Sequence, residues 1–302
     1  MRTVSVVIPS FNARSFLGDC VRSVEANAIG VEVELIIVDD GSTDQESLSQ
    51  VCELENQKTI KVLRHRSNLG VQHARNTGLK AATGDYILCL DADDVLLPIT
   101  THESYLSQAT IMLAANPEIA FVHTMSEMFG DFSGLTISSY PLREDFIARK
   151  HHVPTAIVYR RQEVSFGLLH LEDIPKWQDW AFGVSLLARR WRRGEISEVG
   201  FVPGPGHGYR IHSAFPRISR TEISEFDATK LVVKAYQDYF AFKFPEVQDD
   251  VDNLTAAVVA SKPDGLGDLL FMASFNLGQA LTVARQREYK LNSVQVSRLG
   301  IP

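Results

Sequence analysis

Cysteine is scarce in this 302-residue chain, which has only Cys20, Cys52 and Cys89. Their number is odd, they lie far apart, and no two have metal-ligand spacing. Neither a disulfide framework nor a structural zinc site is expected, and a reducing compartment is. Long apolar runs are missing too. Stretches such as Tyr86–Leu90 fall far short of the roughly 18 residues that cross a bilayer. Residues 1–8 read straight into a strand, without the pattern of a cleavable leader. The expectation is a cytoplasmic protein, at most peripheral at the inner face of a membrane. Basic charge is not in excess: 30 Lys+Arg stand against 37 Asp+Glu, a net charge of −7 with pI ≈ 5.7. That argues against a nucleic-acid binder. Glycine is absent from PSFNARS, the segment after the first strand. A dehydrogenase or nucleotidyltransferase with a Gly-rich phosphate loop there is therefore excluded.

What is present is an ordinary globular composition, 45% apolar and 22% charged, with length for about two domains. Val4–Ile8 is a β-rich run stopped by Pro9, and Phe16, Leu17, Cys20, Val21, Val24 and Ala28 share one face of a helix over 15–28. Val33–Val38 reads as a strand covered on both faces. A helix through Leu48, Val51 and Leu54, a strand Ile60–Leu63, a helix Gly70–Ala82 and a strand Asp85–Leu90 follow. This alternation predicts an α/β fold, a mostly parallel sheet flanked by helices. Further on, the pattern predicts a helix from Pro98 to Ala115, strands Ile119–His123 and Ala156–Tyr159, and a helix Trp177–Arg193. Strands Ile196–Val202 and His207–Ile211 are split by Pro203-Gly204-Pro205-Gly206. Residues 125–152 give no clear pattern. Helices are expected over 222–244, 246–261 and 265–288. The division is an α/β domain over 1–220 and a helical module over 221–302, for acceptor binding or oligomerisation.

Ligands of an open parallel sheet bind at the carboxyl ends of its strands. Three polar clusters stand there: Pro9-Ser10-Phe11-Asn12, Asp39-Asp40-Gly41-Ser42 and Asp91-Ala92-Asp93-Asp94. Asp91 and Asp93, two apart, can project the same way. Converging carboxylates call for a cation, and a hard divalent ion shared with substrate phosphates would suit them. A solvated acidic turn capping the next helix is the alternative. Asp39 and Asp40 either shape a turn or accept hydrogen bonds from a nucleobase or ribose. Arg75 makes either a surface ion pair or a bidentate phosphate clamp.

VSVVIPSFNARSFLGDCVRSV, LIIVDDGSTD and NLGVQHARNTGLKAATGDYILCLDADDVLLP, in this order and spacing, strongly resemble the family 2 glycosyltransferases with the GT-A fold. The resemblance is close over the first hundred residues and looser to about residue 220. It implies a Rossmann-like GT-A sheet and an inverting transferase that uses a nucleoside-diphosphate sugar, UDP before GDP or dTDP, with Mn²⁺ or Mg²⁺. The acceptor would be a carbohydrate, lipid-linked or protein hydroxyl, in polysaccharide or glycoconjugate synthesis, and the sugar a hexose or N-acetylhexosamine. By the same resemblance, Pro9, Phe11 and Asn12 lie beside the nucleobase. Asp40 reads a uracil-type N–H, with Asp39 its neighbour, and Asn68 and Arg75 lie near the base and diphosphate. Asp91, Ala92 and Asp93 form the DxD motif at the ribose and metal, with Asp93 as metal ligand and Asp91 beside it.

Relatives commonly carry an acidic pair at the start of a later helix, where a base would take the acceptor's proton. Here that helix begins Gln178-Asp179-Trp180. Asp179 is favoured, on matching apolar spacing, although Gln178 stands where an acid is more usual; Asp173 is next. In Tyr209-Arg210-Ile211-His212, Arg210 is a candidate phosphate clamp and His212 a candidate metal ligand. Ser213 and Arg217 are candidates for a loop over the donor, with Pro203–Gly208 as its hinge. Arg189, Arg190, Arg192 and Arg193 either complement a helix dipole or attract an anionic acceptor. A non-catalytic sugar-nucleotide-binding scaffold on the same fold is the competing function.

Overall fold

The computed structural model describes residues 2–136, 139–212 and 222–286. β1 (Thr3–Ser10), β2 (Glu32–Asp39), β3 (Ile60–Arg64) and β4 (Tyr86–Cys89) form a parallel half-sheet in the order β3-β2-β1-β4. The crossovers are α1 (Ser15–Ala26), α2 (Gln45–Glu55) and α3 (Val71–Ala81). Next come β5 (Val95–Leu96), α4 (Tyr105–Ala115), β6 (Ile119–Gly130), β7 (Gly134–Leu135), α5 (Glu144–Ala148) and β8 (Val158–Arg160). α6 (Gln162–Ser165), α7 (Gln178–Arg192) and β9 (Glu198–Ile211) complete this part. β8 enters antiparallel between β4 and β6, β9 runs parallel to β6, and β5 closes the edge antiparallel to β9. The long ladders are parallel; the antiparallel ones are two or three residue pairs each. α8 (Glu225–Ala235), α9 (Gln237–Lys243), α10 (Val251–Ser261), α11 (Gly265–Phe275) and α12 (Leu277–Gln286) follow. No helix among the described residues is long and apolar enough to cross a membrane.

Side chains alternate along a strand, so the sheet feeds two cores. β1 sends Val4, Val6 and Ile8 to the side covered by α1, α2 and α4, and Val7 to the side covered by α3, α5, α7 and α8–α12. Gly78 sets the approach of α3. A Cβ there would stand 2.2 Å from Val7 Cγ1, so the missing side chain lets the helix lie directly on β1 and presses Arg75, one turn earlier, toward the sheet. The aromatic stretch of α9 is core on this side. Tyr239 and Phe240 are buried, with Phe240 6.3 Å from Trp180 and Tyr239 5.9 Å from Trp191, while Phe242 is exposed.

Four expectations are corrected. The helix after Pro98 begins only at Tyr105, where the Ser104 hydroxyl caps it by accepting from the Ser107 N–H. Residues 125–130 continue β6. The split at Pro203–Gly206 does not occur: β9 is one strand, because register shifts around Met125 absorb the irregular residues. The Thr124 hydroxyl donates to the Val202 and Gly204 carbonyls and accepts from the Gly206 N–H, so the N–H groups that the prolines lack are not needed there. Of Pro203–Gly208, His207 and Gly208 pair with a strand on each side. The C-terminal helices are also shorter than the periodicity suggests, interrupted at Tyr236 and Asn276 and entered at Asp250, whose carboxylate caps α10.

His123 on β6 is buried, and its Nε2 accepts the Leu142 N–H at 3.1 Å. Burial pushes its pKa down to about 3. The unfolded imidazole takes up its proton near ~6.5, so between these values the unfolded chain binds more protons and stability falls as the pH falls. This group contributes at most about 1.4 kcal/mol per pH unit. Urea midpoints should therefore drop from neutral pH to about pH 5. His123→Gln keeps an acceptor for Leu142 and should flatten part of that slope; an identical slope would assign it to other groups.

Candidate active site

The first two strand ends are knitted to each other. Asn12, in the left-handed region at φ 51, donates its N–H to Ser42 Oγ at 3.0 Å and accepts from the Thr43 and Asp44 N–H groups at 2.8 and 3.2 Å. Pro9 is buried at the end of β1, and Phe11 is exposed. Asp39 accepts from the Ser42 N–H and pairs with Arg64 at 3.3 Å. Asp40 accepts the Leu69 and Gly70 N–H groups at 3.0 and 2.8 Å and meets His65 Nδ1 at 2.7 Å; His65 Nε2 reaches the Thr77 hydroxyl at 2.9 Å. An ionised carboxylate offers about four acceptor positions, so Asp40 keeps one, on Oδ2. Asn68 is exposed beside it. Gly41 (φ +73) allows this closeness: a Cβ would lie 2.5 Å from the Ser67 carbonyl carbon.

The third strand end divides its acids among different partners. Asp91 Oδ1 accepts from Arg75 at 2.6 Å. Ala92 is buried beneath it. Asp93 Oδ2 lies 3.0 Å from His212 Nε2, and its carbonyl accepts from Arg210 Nε at 2.7 Å. Asp94 is fully buried between His207 Nε2 at 3.0 Å and the Arg210 N–H at 2.9 Å, and His207 Nδ1 meets the Ser126 hydroxyl at 2.9 Å. Burial pushes the Asp94 carboxyl up, and His207 opposes that shift. Because β9 pairs with β5 just after this loop, residues 207–212 lie over 91–94. The Arg210 guanidinium sits 4.5 Å from the Phe16 ring and 4.6 Å from the Phe129 ring, and pairs with Asp19 at 3.1 Å. Ser213 and Arg217 lie outside the described residues.

Asp179 stands in the first turn of α7, its Oδ1 3.3 Å from Arg75 and its Oδ2 accepting from the Thr155 hydroxyl at 3.0 Å. Arg75 therefore holds Asp91 on one terminal nitrogen and Asp179 on the other, with 2% of its surface exposed. Burial works against its charge, but the two carboxylates more than offset that, and its pKa rises. The guanidinium lies beneath these acids, spent on carboxylates rather than presented as a surface clamp. Asp173 is exposed. In the Arg189–Arg193 cluster, Arg190 is buried on Glu163 and Glu195, Arg192 pairs with Asp238, and Arg193 pairs with Glu163 and Glu195.

Sequence reasoning missed the half-buried His65, the Asp94–His207–Ser126 chain, and Gln72 and Asn76. The last two donate to the Ile174 and His170 carbonyls, pinning the segment ahead of Asp179 to α3. The buried face of α3, Gln72-Arg75-Asn76-Leu79, was the available signal, since three polar residues on a helix face turned to the core need partners.

Removing one partner of a buried ion pair costs about 3–5 kcal/mol. Asp91 and Asp179 each retain 31% side-chain exposure, so Arg75→Met should cost about 3 kcal/mol, the low end. Arg75→Lys should recover only part of that, because one ammonium does not reproduce a planar fork. Urea unfolding of the two variants measures both; an Arg75→Met protein as stable as wild type would remove the keystone role.

The model for "Glycosyl transferase family 2" matches residues 5–109. Among curated relatives, the uncharacterized glycosyltransferase YibD of Escherichia coli is 36% identical over 106 residues, 35% of this chain and 30% of that protein. An uncharacterized glycosyltransferase of Haemophilus influenzae is 30% identical over 232 residues, 69% of this chain and 65% of its own length. The chain thus spans about a third of the first relatives' length. Among solved structures, S. aureus TarS 1-349 in complex with UDP-GlcNAc aligns with TM-score 0.61 and 16% identity, over 99% of this chain and 80% of that one. The Pyrobaculum calidifontis mannosyltransferase PcManGT, in complex with GDP-Man and Mn²⁺, aligns with TM-score 0.51 and 14% identity, over 99% and 83%. Over residues 5–109 the chain thus belongs to the family 2 glycosyltransferases, on a fold shared with the solved glycosyltransferases.

Proposed function

We propose that this protein transfers a hexose or N-acetylhexosamine from a nucleoside-diphosphate sugar, UDP-linked first, to an acceptor hydroxyl with inversion, in polysaccharide or glycoconjugate synthesis. The observation that carries this reading is the buried Arg75 guanidinium joining Asp91, at the donor motif, to Asp179, at the start of α7. Besides pairing Arg75, this second carboxylate keeps 31% of its side chain exposed, open to an acceptor. Residues 1–220 would form the catalytic unit and 221–302 the acceptor-side module. The UDP-GlcNAc complex of TarS supports a UDP donor, and the Mn²⁺ complex of PcManGT supports a divalent ion.

The residues present fit such an ion. Asp93 and His212 lie 3.0 Å apart, placing a carboxylate and an imidazole side by side. Among the described residues no three His, Cys, Asp or Glu side chains gather as a complete cage. A Mg²⁺- or Mn²⁺-type site completed by substrate phosphates needs no more than one or two protein ligands. When bound by Asp93 and His212, the ion would neutralise the leaving diphosphate.

The protein's own groups would do the rest. Asp179 accepts the acceptor's proton, as a carboxylate placed across the sugar from the leaving group must. Arg75 fixes the spacing of donor motif and base, so the reactants are brought in line rather than left to diffuse. The remaining acceptor position of Asp40 receives the nucleobase N–H, beside Pro9, Phe11, Asn12 and Asn68, with Asp39 holding the turn. Ala92, small and buried, lets the donor chain pass close to the strand end.

Calorimetric titration of UDP with and without Mn²⁺ tests the donor site. Manganese-dependent binding that disappears in Asp93→Ala is expected. Asp179→Asn should keep that binding and lose at least about 100-fold in transfer, the scale of a general base. Normal transfer by Asp179→Asn would overturn the base assignment, and metal-independent binding would overturn the role of Asp93.

A further inference from the structure

One cavity in the molecule contains polar groups that the mechanism does not use. Arg75, Cys89, Thr155, Tyr159, His170 and Asp179 line it. It has room for about one water molecule and is far too small for a hexose. His170 is buried at 6% exposure, and neither of its ring nitrogens has a hydrogen-bond partner; Arg75 Nε has none either. Yet His170 is firmly placed. Its N–H donates to Asn76 Oδ1 at 2.8 Å, its carbonyl accepts from Asn76 Nδ2 at 3.0 Å, and its ring stacks on Phe182 at 4.0 Å and 13°. Burial, and then the nearby Arg75 charge, push its pKa well down, so the ring is neutral, with one donor and one acceptor nitrogen. A buried imidazole fixed by backbone and stacking, with both nitrogens unmatched beside an unmatched guanidinium N–H, needs a third party that can both donate and accept.

We propose that a single ordered water occupies this cavity, accepting from Arg75 Nε and bonding His170, and that His170 is thereby a positioning residue for Asp179. The inference rests on the reading of Asp179 as base only for its kinetic consequence; the water site itself does not. Arg75 already spends one terminal nitrogen on Asp91 and the other on Asp179. Its Nε is the donor whose bond fixes the rotation of the guanidinium plane, and with it where Asp179 Oδ1 is held. His170 sets the water, the water sets Arg75, and Arg75 sets Asp179. No bond is made or broken in this chain of contacts, and no proton needs to travel through it, because Asp179 is partly exposed and can exchange its proton with solvent.

A crystal structure of the full chain at a resolution that shows ordered water is the direct test, paired with His170→Phe and His170→Gln. Phenylalanine keeps the stack on Phe182 and removes both nitrogens; glutamine keeps polar atoms. Water density between Arg75 Nε and His170 in the wild type, absent in His170→Phe with the guanidinium rotated, is the expected result. In transfer assays His170→Phe should lose about tenfold in kcat with the donor KM unchanged, and His170→Gln should stay within about threefold of wild type. A dry cavity in the wild type overturns the proposal whether or not transfer is seen. A His170→Phe protein with wild-type kcat overturns the positioning role. A wild type that holds the water but transfers no sugar would instead refute the functional reading and leave the water site standing.

Discussion

A guanidinium buried between two carboxylates governs this site. Placing a charge in a protein interior is costly unless it is paired, and Arg75 pairs twice, with acids that the chain supplies from different places: Asp91 from the end of β4 and Asp179 from the first turn of α7. Each carboxylate alone would be one more strand-end or helix-start acid. Held on one rigid planar fork, they acquire a fixed separation, and the end of β4 and the start of α7 are tied together across it. The close seat of α3 on β1, made by Gly78, and the pinning of residues 170–174 by Gln72 and Asn76 both serve that arrangement.

Charge elsewhere in the molecule follows the same logic of enclosure. Asp94 is sealed against His207 of β9. Arg190 is sealed between Glu163, Glu195 and backbone carbonyls. Such groups lock segments together, while Asp91, Asp93 and Asp179 at the strand and helix ends retain exposure.

The strand ends were legible in the sequence because they are local. Pro9-Ser10-Phe11-Asn12, Asp39-Asp40 and Asp91-Ala92-Asp93 each sit where an apolar run stops, and parallel crossovers bring such ends to one edge. What was not legible depends on distance along the chain. Arg75 and Asp179 are 104 residues apart, and Asp94 and His207 are 113 apart; no periodicity announces those pairings. The same holds for Asn12, whose carbonyl oxygen is spent on residues 43 and 44 of the neighbouring loop. It holds too for β9, whose prolines and glycines spell a turn locally but meet a partner strand with a compensating irregularity. Turn chemistry is a local preference, and here the pairing of β6 and β9 outweighed it.

Trp177, immediately before the helix that carries Asp179, adopts the left-handed region at φ 64, an uncomfortable place for a bulky side chain. Its ring is approached by Lys150 at 4.8 Å and Lys262 at 4.3 Å, and both ammonium groups bind Glu225 at the start of α8. The conformation of one residue beside the cleft is thus secured by cations from two distant segments, themselves gathered by a carboxylate on a third. Substitutions in the C-terminal helices are in this way inherited by the start of α7 without touching it. The C-terminal helices and the start of α7 are therefore not free to diverge independently.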